Sequence, residues 1–137
     1  MVYVKIYSRL PEEACYIREA VFVEEQGFTD EFDKQDIFAT HFVLFVDAEP
    51  VAVCRVFQED DRYILGRIAV LAPYRRQGLG AAIIRSAEEY VAEQGGHALH
   101  LHAQCRATDF YEAIGYDQYG DVEDDQGCPH IWMMKNI

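Results

Sequence analysis

Long hydrophobic runs are missing from this chain. The longest uncharged apolar stretches are short, as from His41 to Val46. None approaches the ~20 residues that span a bilayer. The start, Met1-Val2-Tyr3-Val4-Lys5, lacks the basic stretch and apolar core of a signal peptide and has the character of a strand. A cytoplasmic location is the expectation. Repeats, low-complexity tracts and linkers are also missing, so the 137 residues are expected to form one domain, 1–137. Basic residues are scarce: 12 Lys and Arg face 24 Asp and Glu, for a net charge of −12. Such a surface repels phosphate backbones and anionic lipid, which argues against nucleic-acid and membrane partners. It favours cationic small molecules or basic peptides, or serves solubility alone. Paired cysteines are lacking too. Cys15, Cys54, Cys105 and Cys128 form no C-x-x-C and match no zinc spacing, so they read as free thiols. His100 and His102 share a strand face and could grip a metal with Cys105. A polar strand face lining a cleft or facing water is the favoured reading, and no metal is expected.

What is present is core material. Half of the residues are hydrophobic and 13% are aromatic, enough for one packed interior. Val2 to Tyr7 alternates as a first strand. Pro11-Glu12-Glu13 opens a helix, with proline in the first turn and acids at the positive dipole end. It runs to about Val23 on a stripe of Ala14, Ile17 and Val21. Asp30 to Asp36 is read as a loop or a short helical turn. His41–Asp47, Val51–Gln58 and Tyr63–Leu71 form a meander with polar turns. A long helix spans roughly Leu79 to Gln94 and closes at Gly95-Gly96. His97–Ala103 is a strand and Thr108–Ile114 a short helix. Tyr116–Tyr119 and His130–Lys135 are the last strands, with an acidic loop between them. The order predicts an α/β (α+β) fold: a mixed, mostly antiparallel central sheet with helices on both faces.

One junction carries chemistry. A strand ends near Val70, and Arg75-Arg76-Gln77-Gly78-Leu79-Gly80 leads into the long helix. The first turn of a helix has backbone N–H groups without partners, at the positive end of its dipole. Such an end favours an anion. Gly78 and Gly80 have no Cβ, so a pyrophosphate can approach the backbone. Arg75 and Arg76 can pair with phosphate oxygens. The loop is neither G-x-x-x-x-G-K-[ST] nor G-x-G-x-x-G, which argues against nucleotide hydrolysis and dinucleotide binding.

The segment resembles the signature [RQ]-x-x-G-x-[GA] of the GNAT superfamily of N-acetyltransferases. Further on, Phe110-Tyr111-Glu112-Ala113-Ile114-Gly115-Tyr116 resembles the second GNAT signature, F-Y-x-x-x-G-[FY]. Arg18 to Gln26, Asp33, Asp36, His41, Gly66 to Val70, Ala103-Gln104 and Cys128-Pro129-His130 extend the likeness to the ElaA-like branch of small bacterial GNAT proteins. The resemblance implies the acyl-CoA N-acyltransferase fold, acetyl-coenzyme A as co-substrate, and direct attack of an amine on its thioester. It allows a homodimer.

It also implies roles. The strand ending at Val70 splays from its neighbour, and the pantetheine arm pairs with backbone from Ile68 through Ala69 to Val70. The Val70 N–H faces the thioester oxygen as charge develops on it. The pyrophosphate sits on N–H groups of Gln77, Gly78, Leu79 and Gly80, near Arg75 and Arg76. Phe110 and Tyr111 flank the cofactor, and Tyr111 either protonates the leaving thiolate or only packs. A base is wanted, because an alkylammonium is about a thousandth free amine at pH 7. Glu24, Glu25, Asp33, His41 and His130 are unranked candidates. Tyr111, Val70 and, among the bases, Glu24 make up the expected catalytic set. Gln26, His41, Arg55, Arg67, Gln104 and His130 are the expected acceptor-binding residues. Arg55 and Arg67 lie mid-strand, where a charge needs a partner. They either bind a substrate carboxylate, the favoured reading, or join buried acids in a structural network. The acceptor is a small amine, amino-acid-like if the arginines hold a carboxylate. A non-catalytic acyl-CoA sensor and a plain interaction module are the rival readings.

Overall fold

Two apolar faces organise the chain. In the computed structural model, which describes residues 1–137, seven strands form one sheet in the order β1-β2-β3-β4-β5-β7-β6. The strands are β1 (Val2–Tyr7), β2 (Thr40–Val46), β3 (Glu49–Glu59), β4 (Arg62–Val70), β5 (Ala98–Gln104), β6 (Asp117–Asp125) and β7 (Cys128–Asn136). All neighbours are antiparallel except β4 and β5, which the helix α3 (Leu79–Glu93) joins as a crossover. Side chains alternate across a strand, so β2 sends Phe42 and Leu44 to one face and Val43 and Phe45 to the other. The first face packs on Ile83, Ile84, Ala87 and Val91 of α3. The second packs on Ala14 and Ile17 of α1 (Glu12–Arg18) and on Val21 and Phe22 beyond it. The predicted mixed sheet with helices on both faces is the one found.

Details differ from the sequence expectation. The first helix does not stay α-helical to Val23; Glu19–Glu25 continues it as a π-helix. Its wider turn carries Phe22 to the core while Glu24 and Glu25 stay exposed. The acidic loop expected after Tyr119 is largely strand: β6 runs to Asp125 and turns into β7 at Gln126-Gly127. Acids have poor strand propensity, but β6 is a solvent-exposed edge where charge is tolerated and discourages further pairing.

The connection from Gln26 to Ala39 carries one short helix, α2 (Gln35–Phe38), and is fastened by ions rather than by apolar packing. Arg18 is wholly buried. Its Nε donates to Glu31 Oε2 at 2.8 Å and its Nη1 to Asp36 Oδ1 at 2.7 Å. Arg55 forks onto both Asp33 oxygens at 2.6 and 3.0 Å and reaches Asp36 Oδ1 at 2.8 Å. Arg67 pairs with Glu31 at 2.9 Å and Asp33 at 3.2 Å. Three arginines thus meet three carboxylates, and the cluster is neutral. The imidazole of His41 lies beneath it, with Nε2 2.9 Å from the Asp36 carbonyl oxygen.

Removing one member would strand a buried opposite charge, which typically costs about 3–5 kcal/mol. Arg18→Ala is expected to lose an amount of that order in urea unfolding. Burial alone would raise Asp36 and Asp33. Hydrogen bonds from Arg18 and Arg55 to Asp36, and from Arg55 to Asp33, overcome this and hold both carboxyls below their ordinary range. Their stabilisation is therefore complete above pH ~4 and is lost as pH falls through the lower folded-state values. Burial raises Glu31 despite Arg67 and Arg18, so its protonation on acidification favours the folded state, starting at higher pH. The urea midpoint should hold down to about pH 4 and fall steeply below it.

Candidate active site

A kink in β4 makes the site. Val53 lies opposite Ala69 and Arg55 opposite Gly66, so one β3 residue, Cys54, faces two β4 residues, Arg67 and Ile68. This is a β-bulge, and Arg67 holds it with φ of +52°. β4 pairs with β5 only from Tyr63 opposite Leu99 to Leu65 opposite Leu101. Beyond Leu65 the two strands part, while β5 stays with β7 as far as Gln104 opposite His130. The parting leaves the β5-facing edge of β4 without a strand. The Leu71 N–H donates to the Val51 carbonyl at 2.9 Å. In an antiparallel ladder the hydrogen-bonding direction alternates, so the Val70 amide points away from β3, into the parting. Arg75 Nε meets the Val70 carbonyl oxygen there at 2.8 Å.

A groove of about 480 Å³ follows that edge to the start of α3. Ile68, Ala69 and Val70 line one side, and Phe110 and Tyr111 of α4 (Thr108–Ala113) the other. Arg75, Arg76, Gly78, Leu79 and Gly80 close its end. Gly78 caps α3 with φ of +77°, a conformation that suits glycine. At Gly80 a Cβ would come within 3.2 Å of Phe110 Cζ, so a bare backbone lets α3 and α4 close on the groove. Gln77 is exposed in the same loop and does not line the groove. Arg75 is not free for phosphate as expected. Its fork is taken by Glu25, at 2.7 and 2.6 Å, which locks the end of the first helix to the end of β4. Arg76 is exposed and without an ion pair.

A second cleft, of about 190 Å³, lies on the other side of Tyr111. Gln26, Ile68, Ala107 and Tyr111 line both spaces, so the two meet there. Gln104 Nε2 donates to the side-chain oxygen of Gln26, Oε1, at 2.9 Å. Arg67, Asp30, Glu31, Asp125, His102 and His130 supply the other polar walls. At the mouth, the Thr29 N–H and hydroxyl both donate to Gln126 Oε1, at 3.0 and 3.1 Å. The Tyr111 hydroxyl is pushed up by burial, then by the nearby Cys54, so it stays protonated at neutral pH.

The structure thus brings Gln26, Arg67, Gln104, His130 and Tyr111 to one cleft and separates others from it. His41 and Arg55 point to the α1 face and are buried under the ion network, so neither reaches the acceptor space. Glu24 is exposed in a depression with Glu19, Asp30 and Phe32, outside both spaces. The favoured carboxylate-binding reading of Arg55 and Arg67 gives way to the structural network. Sequence reading missed Asp30, Asp125 and Gln126. Their loops are remote in the chain, and the Thr29–Gln126 hydrogen bonds join them.

A sheet that opens beside a helix N-terminus, with a second cleft at the opening, is the framework of enzymes that take an acyl group from coenzyme A. A family model described as an acetyltransferase (GNAT) domain matches residues 10–137, and the chain belongs to that family. YjcF of Bacillus subtilis, described as an uncharacterized N-acetyltransferase, is 35% identical over 128 residues, covering 91% of each chain. The crystal structure of Escherichia coli ElaA is 25% identical with a TM-score of 0.86, covering 98% of this chain and 99% of ElaA. An aminoglycoside 6′-N-acetyltransferase crystallised with coenzyme A shares the fold at 16% identity and a TM-score of 0.74, covering 98% of this chain and 96% of its own. The protein is an acetyltransferase, and the sequence resemblance to the ElaA-like branch holds. No helix is long and apolar enough to cross a membrane.

Asp is one of the residues best tolerated at the positive φ of Gly78, where a Cβ would meet open space. Gly78→Asp therefore tests charge with little steric change. It is expected to weaken coenzyme A binding about tenfold by calorimetry, the effect of about 1.4 kcal/mol, whereas Gly78→Asn keeps most of the affinity.

Proposed function

We propose that residues 1–137 act as one cytoplasmic domain that transfers the acetyl group of acetyl-coenzyme A to a primary amine on a small, positively charged acceptor. The observation that carries this reading is the meeting of the groove and the acid-lined cleft at Tyr111 and Ile68. The free N–H groups at the start of α3 hold the pyrophosphate, with Arg76 nearby. The vacated β4 edge pairs with the pantetheine arm. The Val70 N–H stabilises the oxygen of the tetrahedral intermediate. Holding amine and thioester at one junction removes the entropic cost of their encounter.

The charge of the acceptor follows from the cleft. Arg67 is its only arginine or lysine and is matched by Glu31. Asp30 and Asp125 have no ion pair and leave the walls net negative. A carboxylate on the substrate would find no free cation, whereas a second ammonium would find a partner. Diamines are therefore the favoured acceptor class, ahead of amino acids.

Released thiol, measured across a panel of amines, tests the reading. Turnover with diamines above that with amino acids of similar length is expected, and the reverse order would remove the charge argument. Tyr111→Phe is expected to lower kcat by about a hundredfold with coenzyme A affinity kept within about twofold, if its protonated hydroxyl donates to the leaving thiolate. Unchanged kcat would mean that the ring only packs.

A further inference from the structure

Direct attack requires a free amine, and the cleft must supply the base. The five candidates from the sequence fare differently. Glu24 lies outside the cleft. Glu25 is held by Arg75, and Asp33 by Arg55 and Arg67. His41 is sealed beneath the ion network. His130 remains. It is 7% exposed and lines the acceptor cleft.

Its ring has a defined polarity. Nδ1 lies 2.8 Å from the carbonyl oxygen of Cys128. A carbonyl can only accept, so Nδ1 carries the proton and donates. In a neutral imidazole the other nitrogen then holds a lone pair. That nitrogen, Nε2, has no protein partner, and it is not sealed from solvent as the neighbouring His102 Nε2 is. His102 packs 5.0 Å from the His130 ring, stacks on Trp132, and turns its Nε2 towards Glu123 at 3.4 Å. It lines the same cleft, but its Nε2 is sealed from solvent, whereas that of His130 is open.

Resting on the acetyl-transfer reading above, we infer that His130 is the general base of the reaction, accepting the acceptor's ammonium proton at Nε2. The ammonium gives one proton to Nε2. The freed lone pair forms the C–N bond on the thioester carbon, and the C–S bond breaks with its electron pair on sulfur. The second N–H proton balances the one taken up by the thiolate, and the proton on His130 leaves to solvent. Imidazole suits the task because its ordinary titration falls in the physiological range, which that of a carboxylate does not. The charged and titratable groups lining the cleft or facing the histidine pair are His102 on β5, Glu123 and Asp125 on β6, Asp30 and Glu31 on the loop, Arg67 on β4 and Tyr111 on α4.

Two measurements test this. In ¹⁵N-labelled protein above pH 8, two-bond ¹H–¹⁵N correlations should show His130 protonated at Nδ1 and bare at Nε2. The opposite tautomer overturns the assignment, whether or not an acceptor has been found. The second measurement uses His130→Asn, which keeps an amide N–H for the Cys128 carbonyl. For an alkylamine that the wild type acetylates, the variant should lose about 10²–10³-fold in kcat/KM at pH 7 and regain activity as pH rises. Coenzyme A affinity should stay within about twofold. Hydroxylamine, already unprotonated at pH 7, should react at nearly the wild-type rate. Equal losses with both nucleophiles, or an intact kcat/KM with the alkylamine, overturn the proposal. A wild type that binds coenzyme A but acetylates no amine counts against the amine-transfer reading instead, and the tautomer then decides the role of His130.

Discussion

Placing two residues of β4 against one of β3 has consequences throughout this protein. The extra residue bends β4 away from β5, so the parallel pairing that α3 has just established lasts for only three positions. A backbone edge in the middle of a sheet is thereby left open. Such an edge is unstable unless something covers it, because unpaired N–H and C=O groups are costly to bury. Here the edge faces a groove in which a ligand with amide groups can complete the ladder. The fold thus carries a gap between strands at its centre, with a helix N-terminus at one end and the acid-lined cleft beside it.

The bulge also explains the ion network. Arg67 sits on it at a positive φ, which a non-glycine residue seldom adopts. Its guanidinium is held by Glu31 and Asp33, and these are held in turn by Arg18 and Arg55. The loop that forms one wall of the acceptor cleft is therefore fixed to the same strand whose bend opens the cofactor groove. Arg75 repeats the device at the other end, tying the Val70 carbonyl to Glu25. Both links lock backbone that the chemistry needs in place, and neither arginine is left free for a ligand. The Arg67–Glu31 pair is largely buried, whereas the Arg75–Glu25 pair is exposed and adds little stability of its own.

The proposed cofactor loop was legible in the sequence because its features are those of the backbone. Two glycines before a helical pattern, after a strand, mark a candidate phosphate cradle whatever side chains surround them. The element order followed from periodicity for the same local reason. The acceptor side was not legible. Whether Arg55 faces a ligand or a carboxylate depends on what packs on the α1 face, and that partner is a loop about twenty residues away in the chain. The π-helical segment after Arg18 was equally hidden: its apolar spacing fits an α-helix, and only the ties of Arg18 and Glu25 show where its ends must lie. The second half of β6, from Gly120 to Asp125, reads as a loop in the sequence because its acids sit on an edge, where burial does not constrain them.

The overall charge presents an apparent contradiction. A protein with a net charge of −12 must bind a carrier that is itself strongly anionic. Screening resolves much of it. At physiological ionic strength charges more than about 8 Å apart are largely independent at the surface, so the acids of β6 weigh little on the start of α3. Within that radius the cradle offers amide dipoles and Arg76, and no acid lines the groove. The acceptor cleft has the opposite local balance, with Asp30 and Asp125 unmatched. On the proposed reading, the two substrates therefore meet opposite fields on either side of Tyr111, which would direct an anionic carrier to the cradle and a cationic amine to the cleft before any contact specific to either structure is made.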